Sequence, residues 1–505
     1  MPFILSIASP ATGPVLLTLF ALAAGVIFCL YRVIKNRHIP GPWPCRISGH
    51  YVTLFDLFRQ RPQTVARWHR QYGPFVQIAP GQVSVSDVTA MRDLYGTSTR
   101  NPKSDYFDNF IYHNARAIFA EKEYHGHRQK RGLVSSFFQA TSVYKPDIQQ
   151  PLRDRVLAGM MRIQEEINIR GDRIVDVFPI INHYAWDNTT ALVFGPRHCS
   201  HALQGDEYDR DLLARLKNSE LWGAVKNNLP LVFSAIKMGM VVYTKSTKYF
   251  SAEHDLDTWA MQRLYQTTSD PKASPDERSI VQLIQHLRSN GRSLSDNYLE
   301  SEVIDNLYAG QATVTVALTY AVYHLSRNPH WQSMVQEELD SLPRDSDGLP
   351  DWNLLSKTPI LEACIRESYR LNPVASGRAE RVLIKDTSYG EIVIPQNTIV
   401  SASTIALHLD PQVWLNPLEF NPRRWLEATP DETLRLERSF VPFGYGARLC
   451  LGKAFANLQI KMFVAGIYSM YNTRLEVPGR VMDQWGTQDA LPKELKCRLR
   501  FEDRI

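Results

Sequence analysis

The first pattern along the chain is a long apolar stretch. From Met1 to Tyr31 no side chain is charged, and Val15 to Tyr31 is interrupted only by Thr18. A helix rising about 1.5 Å per residue over that run reaches roughly 25 Å, near the thickness of an endoplasmic reticulum bilayer. Arg32, Lys35, Arg37 and His38 follow at once, which predicts a lumenal N-terminus with everything after it on the cytosolic side. A cleaved signal peptide would need basic residues ahead of the apolar run, and there are none. Pro40-Gly41-Pro42-Trp43-Pro44 then predicts a stiff, helix-breaking connection.

Beyond it, helical spacing dominates. Tyr72 to Asp87 is the exception: it alternates apolar and polar residues on both sides of Pro80-Gly81, which predicts a β-hairpin, with Asp87 capping a short helix to about Leu94. Asn101 to Glu123 has no clean period and carries Tyr106, Phe107, Phe110, Tyr112 and Phe119. A helix containing His127-Arg128-Gln129-Lys130-Arg131 follows, then long helical patterns to about residue 290. Within them Leu229 to Tyr243 is apolar but short and carries Lys237, so it fits either a helix lying in a membrane interface or a buried core helix. Ser295 or Asp296 caps a long helix that ends at Arg327, before Asn328-Pro329. Leu361 to Leu371 is an amphipathic helix, Gly390 to Thr398 a strand and turn, and Lys453 to Val464 a last helix.

No Gly/Ser-rich linker, charge block or repeat divides the 505 residues, so residues 1–39 form an anchor and basic flank and 40–505 one large catalytic unit. The hydrophobic share of 44% supports a sizeable core. A net charge of +5 argues for no acidic partner, and without a basic stripe interleaved with aromatics nucleic acid is excluded. Six scattered cysteines without CxxC pairs indicate neither a zinc cluster nor a disulfide framework, and hence a reducing compartment. That outweighs the sequon Asn188-Thr189-Thr190.

One stretch carries chemistry: Phe443-Gly444-Tyr445-Gly446-Ala447-Arg448-Leu449-Cys450-Leu451-Gly452. Gly446 and Gly452 allow a tight turn close to a flat ligand, and the fork of Arg448 suits a carboxylate. Backbone N–H groups at the start of the next helix would help keep a Cys450 thiolate ionised. A lone cysteine beside glycines is also an ordinary buried hydrophobe. The ordered set Phe443, Gly446, Arg448, Cys450 and Gly452, however, resembles the cysteine-ligand loop of the cytochrome P450 family.

That resemblance implies a mainly α fold with a small β-rich lobe, preceded here by one transmembrane helix, and haem b with its iron ligated by Cys450. Ala309-Gly310-Gln311-Ala312-Thr313 resembles the family's oxygen-activating segment, which makes Gly310, Gln311 and Thr313 candidate catalytic residues. It departs in having Ala312 where an acid usually stands, and a methyl cannot relay protons. His127, replacing the family's tryptophan, and Arg131 are implied partners of a haem propionate; Arg381 is another, with Arg378 equally placed. Val374 to Gly377 and the aromatic loop at 101–123 are implied to face the substrate, although an aromatic loop folded on itself is the competing reading. Glu367, Arg370 and Arg424 match the family's structural triad.

The implied function is a haem-thiolate monooxygenase that uses O2 and electrons from NADPH-cytochrome P450 reductase, since the chain has no flavin or nicotinamide fingerprint of its own. Arg128, Lys130 and Lys453 are candidate docking points for that reductase. The implied substrate is a lipophilic secondary metabolite, in the style of filamentous fungi, and the implied setting is the endoplasmic reticulum membrane. Ala312 raises an alternative of desaturation, ring closure or oxidative coupling. A haem-binding membrane protein without turnover is the reading from another class.

Overall fold

The computed structural model describes residues 12–35, 38–270, 278–375, 378–487 and 489–504. The architecture is mainly helical with small sheets, and it is organised around a central helix, Asp296–Arg327. Ser295, not Asp296, is its cap: the Ser295 side chain accepts the Tyr298 N–H at 3.2 Å. From Val314 to Ser326 every side chain is buried, so this helix is core on all sides over its second half.

A second helix, Val177–Phe194, crosses it at close range. A Cβ on Gly310 would lie 2.7 Å from Cγ2 and Oγ1 of Thr189, inside van der Waals contact, so glycine is what lets the two backbones approach. Gly310→Ala is expected to destabilise, because overpacking of about 1–3 kcal/mol exceeds the roughly 1 kcal/mol that alanine gains in helix propensity. Urea midpoints of Gly310→Ala, Thr189→Ala and the double variant check this; the double should recover part of the loss. Asn188 of the sequon is buried in this crossing helix, where no glycan fits.

The strands are β1 (Phe75–Ala79), β2 (Gln82–Val85), β3 (Ile174–Asp176), β4 (Arg381–Val382), β5 (Thr387–Tyr389), β6 (Ile392–Ile394), β7 (Ile399–Ala402), β8 (Tyr471–Leu475) and β9 (Arg498–Asp503). They form sheets ordered β1-β2-β7-β4, β3-β9-β8 and β5-β6. The hairpin turns at Pro80-Gly81 with Phe75 opposite Val85. Its alternation does not produce a wet face, because every residue of β1 is buried and Gln77 donates its N–H to the Pro40 carbonyl at 2.7 Å. Asp87 caps Val88–Tyr95, its Oδ1 accepting from Ala90 N–H at 2.7 Å.

Thr12–Lys35 is a helix whose large apolar side chains from Leu17 to Ile34 are exposed. Among the described residues no helix is long and apolar enough to cross a membrane. Pro230–Thr244 buries no residue at all, and Leu231, Met238, Val242 and Tyr243 are widely exposed, which overturns the reading of that segment as a core helix.

Candidate functional site

The loop before the last helix is folded by its own backbone. Cys450 N–H donates to the Phe443 carbonyl at 2.9 Å and Leu449 N–H to the Gly446 carbonyl at 3.0 Å. Gly446 has φ +75, and a Cβ there would sit 2.0 Å from the Tyr95 carbonyl oxygen, so no other residue fits. Gly452 does not share this constraint: its φ is −81 and the space beside it is open, which corrects the expectation that both glycines serve the turn. Phe443 packs edge-on against Tyr369, ring centroids 5.5 Å apart.

The helix that follows, Lys453–Met470, runs beyond the predicted Val464, because the apolar stripe continues to Ile467 and Tyr468 before β8 begins. Its first amides point at the sulfur. Burial pushes the Cys450 thiol up, opposed by the N–H of Gly452, the charges of Arg131 and Lys453, and the Lys453 N–H. Cys450 is nevertheless exposed, whereas Cys45, Cys199, Cys364 and Cys497 are buried. A group dehydrated by surrounding protein that still has accessible surface faces an internal chamber.

The central helix presents an accessible strip of its own. Ala309 is exposed and Asp305 and Thr313 are half-buried, at i, i+4 and i+8, along one face of a helix whose second half is interior. Thr313 Oγ1 donates to the Ala309 carbonyl at 2.6 Å, which leaves its lone pairs for water or substrate. Gln311 does not join it. Two residues along a helix is a rotation of about 200°, and Gln311 Nε2 instead donates to Asn182 Oδ1 on the crossing helix. The expectation of Gln311 as a catalytic residue is corrected to a packing contact. Gly310 sits in an unbroken helix and is required by Thr189, and Ala312 is buried in the interior.

Five basic side chains converge near the cysteine loop. Arg131 donates to the Leu449 carbonyl at 2.8 Å, and Arg448 donates to the carbonyls of Glu121 and Lys122 at 2.6 and 2.5 Å. Arg381 donates to Ala379 and Glu380 carbonyls at 3.3 and 2.9 Å and lies 4.9 Å over the Tyr95 ring. Lys103 donates to the Phe119 carbonyl and lies beside Arg381 through an isolated β-bridge. Burial, then Arg448 and the neighbouring cations, lowers His127 to about 3, so its imidazole is neutral. Burial, then Arg381, lowers Arg448 to about 10, and the same causes hold Lys103 well below its usual range. Among the described residues none of the five has a carboxylate at ion-pair distance. A cluster of like charges held in dehydrated space is a receptor for anions.

Arg378 is different. It pairs with Glu380 at 3.1 Å and Asp56 at 3.6 Å and covers Tyr106 at 3.9 Å, so its charge is already answered. Of the two arginines left open by sequence, Arg381 is therefore the one free to bind a carboxylate. Ser376 and Gly377, expected to face the substrate, lie outside the described residues. In the loop at 101–123, Tyr106, Phe107, Phe110 and Phe119 pack on one another at 5.0 to 6.3 Å, while Tyr112 leaves them to stack on Tyr308 of the central helix at 6.0 Å. The reading of an aromatic loop folded on itself holds for those four residues, and Tyr112 instead reaches the central helix.

Behind the loop, Glu367 and Arg370 of the helix Pro359–Leu371 are fully buried and bonded by two contacts of 2.9 and 2.7 Å. Glu367 also accepts from Arg424 Nε, Trp425 Nε1 and Asn421 N–H, each at 3.0 Å. Arg370 donates on to the His408 carbonyl at 2.9 Å, and His408 Nε2 accepts the Val441 N–H at 2.9 Å. This chain of bonds ties the three charged residues to the strand of backbone that starts the cysteine loop. Lys103 and His408 gave no signal in the sequence; each is placed by contacts made hundreds or tens of residues away.

The donor set fits haem: a sulfur for the iron, and cations for the two propionates. A sequence profile of the cytochrome P450 family matches residues 39–488. The chain is 82% identical over 504 residues to cytochrome P450 monooxygenase FGM1 of Gibberella zeae, covering 100% of both chains. It is 23% identical to cytochrome P450 monooxygenase BOT1 of Botryotinia fuckeliana, over 92% of this chain and 91% of that one. Tryptophan 6-hydroxylase fscE of Fusarium equiseti is also 23% identical, over 89% of each chain. These likenesses remove the reading of a haem carrier without turnover. The chain belongs to the cytochrome P450 family and is an oxidoreductase of its monooxygenase kind, with a haem-thiolate cofactor, O2 as co-substrate and electrons from a redox partner.

Proposed function

We propose that the protein hydroxylates a largely apolar secondary metabolite, taking electrons from NADPH through a membrane-bound cytochrome P450 reductase. The observation that carries this is the exposed Cys450 sulfur with Arg131, Arg381, Arg448 and Lys103, none of them paired to a carboxylate, and the neutral His127 gathered near its loop. Haem b, once bound, supplies dioxygen activation, which the thiolate promotes by donating electron density. The chain's own residues do the rest. Cys450 would hold the iron and Arg381, Arg448, His127, Arg131 and Lys103 the carboxylates, while Phe443, packed edge-on against Tyr369, steadies the loop that carries the sulfur. Thr313 Oγ1, bonded to the Ala309 carbonyl and half-buried on the accessible strip, would order the water that delivers protons.

Arg381→Gln is expected to weaken haem retention, since removing a buried charge from a hydrogen-bonded pair costs about 2–5 kcal/mol. Haem content per protein after gel filtration checks this, and Arg378→Gln, whose charge is paired elsewhere, should lose much less.

The second reading, desaturation, ring closure or oxidative coupling, draws support from Ala312 and from Gln311 being held by Asn182, which leave no titratable side chain next to Thr313. Incubation with NADPH, reductase and extracts of the producing strain separates the two by product mass: one added oxygen for hydroxylation, loss of two hydrogens for the alternative. No mass change with either would reject both.

The setting we propose is the endoplasmic reticulum membrane, with Thr12–Lys35 as anchor and the catalytic unit on the cytosolic side. The exposed apolar faces of that helix and of Pro230–Thr244 support it.

A further inference from the structure

Beside the accessible strip of the central helix the surroundings are polar and acidic in a way that a purely hydrocarbon substrate would leave unanswered. Tyr112 and Tyr308 stack at 6.0 Å with an interplanar angle of 16°. Neither phenol oxygen finds a hydrogen-bond partner among the described residues, and both are half-buried. The Tyr112 hydroxyl lies within electrostatic reach of Asp305 and Asp489 at once. Asp305 belongs to the strip shared with Ala309 and Thr313, about 12 Å from Thr313 at 1.5 Å per residue. The Phe119 N–H faces its carboxyl. Asp489 comes from the distant C-terminal segment, is half-buried, and has no hydrogen-bond partner among the described residues.

We propose that Asp305 and Asp489, with the phenols of Tyr112 and Tyr308, form a recess that receives the protonated amine of an otherwise apolar substrate. This rests on the monooxygenase reading and names the class of molecule it acts on. An ammonium group answers the charge of the two carboxylates, and the paired tyrosine rings add π faces that attract a cation. An anion would meet like charge. The apolar body of the substrate then extends down the helix toward Ala309.

The charges around the recess set its pH dependence. Asp305 faces Glu302 of its own helix and Lys103 of the loop; Asp489 faces Glu220 and Lys217, which pair with each other at 3.0 Å. Glu253 and Asp257 bear on the tyrosines from a third helix. Burial, then Glu302, raises Asp305 to about 8; burial, then Glu220, raises Asp489 to about 7. Both carboxyls are thus mostly protonated at pH 6 and ionised above pH 8, so cation affinity rises with pH across that window and anion affinity falls.

The test is a Soret titration of the ferric holoenzyme with two probes of one skeleton, 4-phenylbutyltrimethylammonium and 4-phenylbutyrate. The quaternary nitrogen has no lone pair and cannot ligate the iron. At pH 8 the cation should bind about tenfold or more tightly than the anion, and the preference should shrink at pH 6. Asp489→Asn, alone and with Asp305→Asn, should narrow it further. Equal affinities at pH 8, tighter binding of the carboxylate, or a preference untouched by Asp489→Asn overturns the proposal. If Asp305→Asn fails to fold, the wild-type comparison and Asp489→Asn decide. A protein without a thiolate-type carbon monoxide spectrum would instead sink the monooxygenase reading, and calorimetry with the same two probes would still decide the recess.

Discussion

Cys450→Ala is expected to abolish turnover while leaving the fold intact. The side chain is small and exposed, so its removal costs little stability. Its loop is held by bonds that do not involve the sulfur: Cys450 N–H to Phe443, Leu449 N–H to Gly446, and Arg131 to the Leu449 carbonyl. What disappears is the one donor placed to ligate iron. Loss of a supporting residue at a metal site typically costs about 10- to 100-fold; loss of the ligand itself should exceed that and take product formation to background. Circular dichroism and urea midpoints near wild type, together with product below detection, are the expected pair of results. A variant that still turns over would show that the iron is held elsewhere.

The second large effect is on the fold. Glu367→Ala should destabilise by about 3–5 kcal/mol, because it leaves the fully buried Arg370 charge unpaired. The carboxylate also anchors Arg424, Trp425 and the Asn421 N–H, so its loss frees the segment leading toward the cysteine loop. The chain from Arg370 through the His408 carbonyl and imidazole to Val441 N–H should slacken with it. Urea unfolding of the haem-free chain measures the energetic part; haem content of the variant measures what the loop loses. A variant as stable as wild type would make the pair a surface ornament, contrary to the zero exposure of Glu367 and Arg370.

What could be read from the sequence was local or carried by strict spacing. Asp87 declares itself as a cap because an oxygen-bearing side chain next to a helical pattern has one good use, whereas Ser295 and Asp296 offered two such oxygens in a row and the structure chose the first. The spacing of Glu367 and Arg370 puts them on one helical face, but spacing alone reads as an ordinary surface pair; their burial shows only in the structure. What could not be read depended on partners far along the chain. β1 looked half-exposed because its second cover, the segment at Pro40, lies outside any local window. Gln311 sat in the right motif but on the wrong face, and only Asn182 across the helix crossing shows where it points. Gly452 matched a motif although its backbone is ordinary, whereas Gly446 is compelled by the Tyr95 carbonyl. Lys103 joins the cationic cluster through a bridge to Arg381, a pairing across 278 positions that no periodicity announces.

The central claim is that the Cys450 sulfur is the protein ligand of a haem iron. Its most direct measurement is the reduced, carbon monoxide difference spectrum of the purified full-length chain beside Cys450→Ala. A thiolate-type Soret shift in the first and its loss in the second is the predicted result; the same spectrum from both would contradict it.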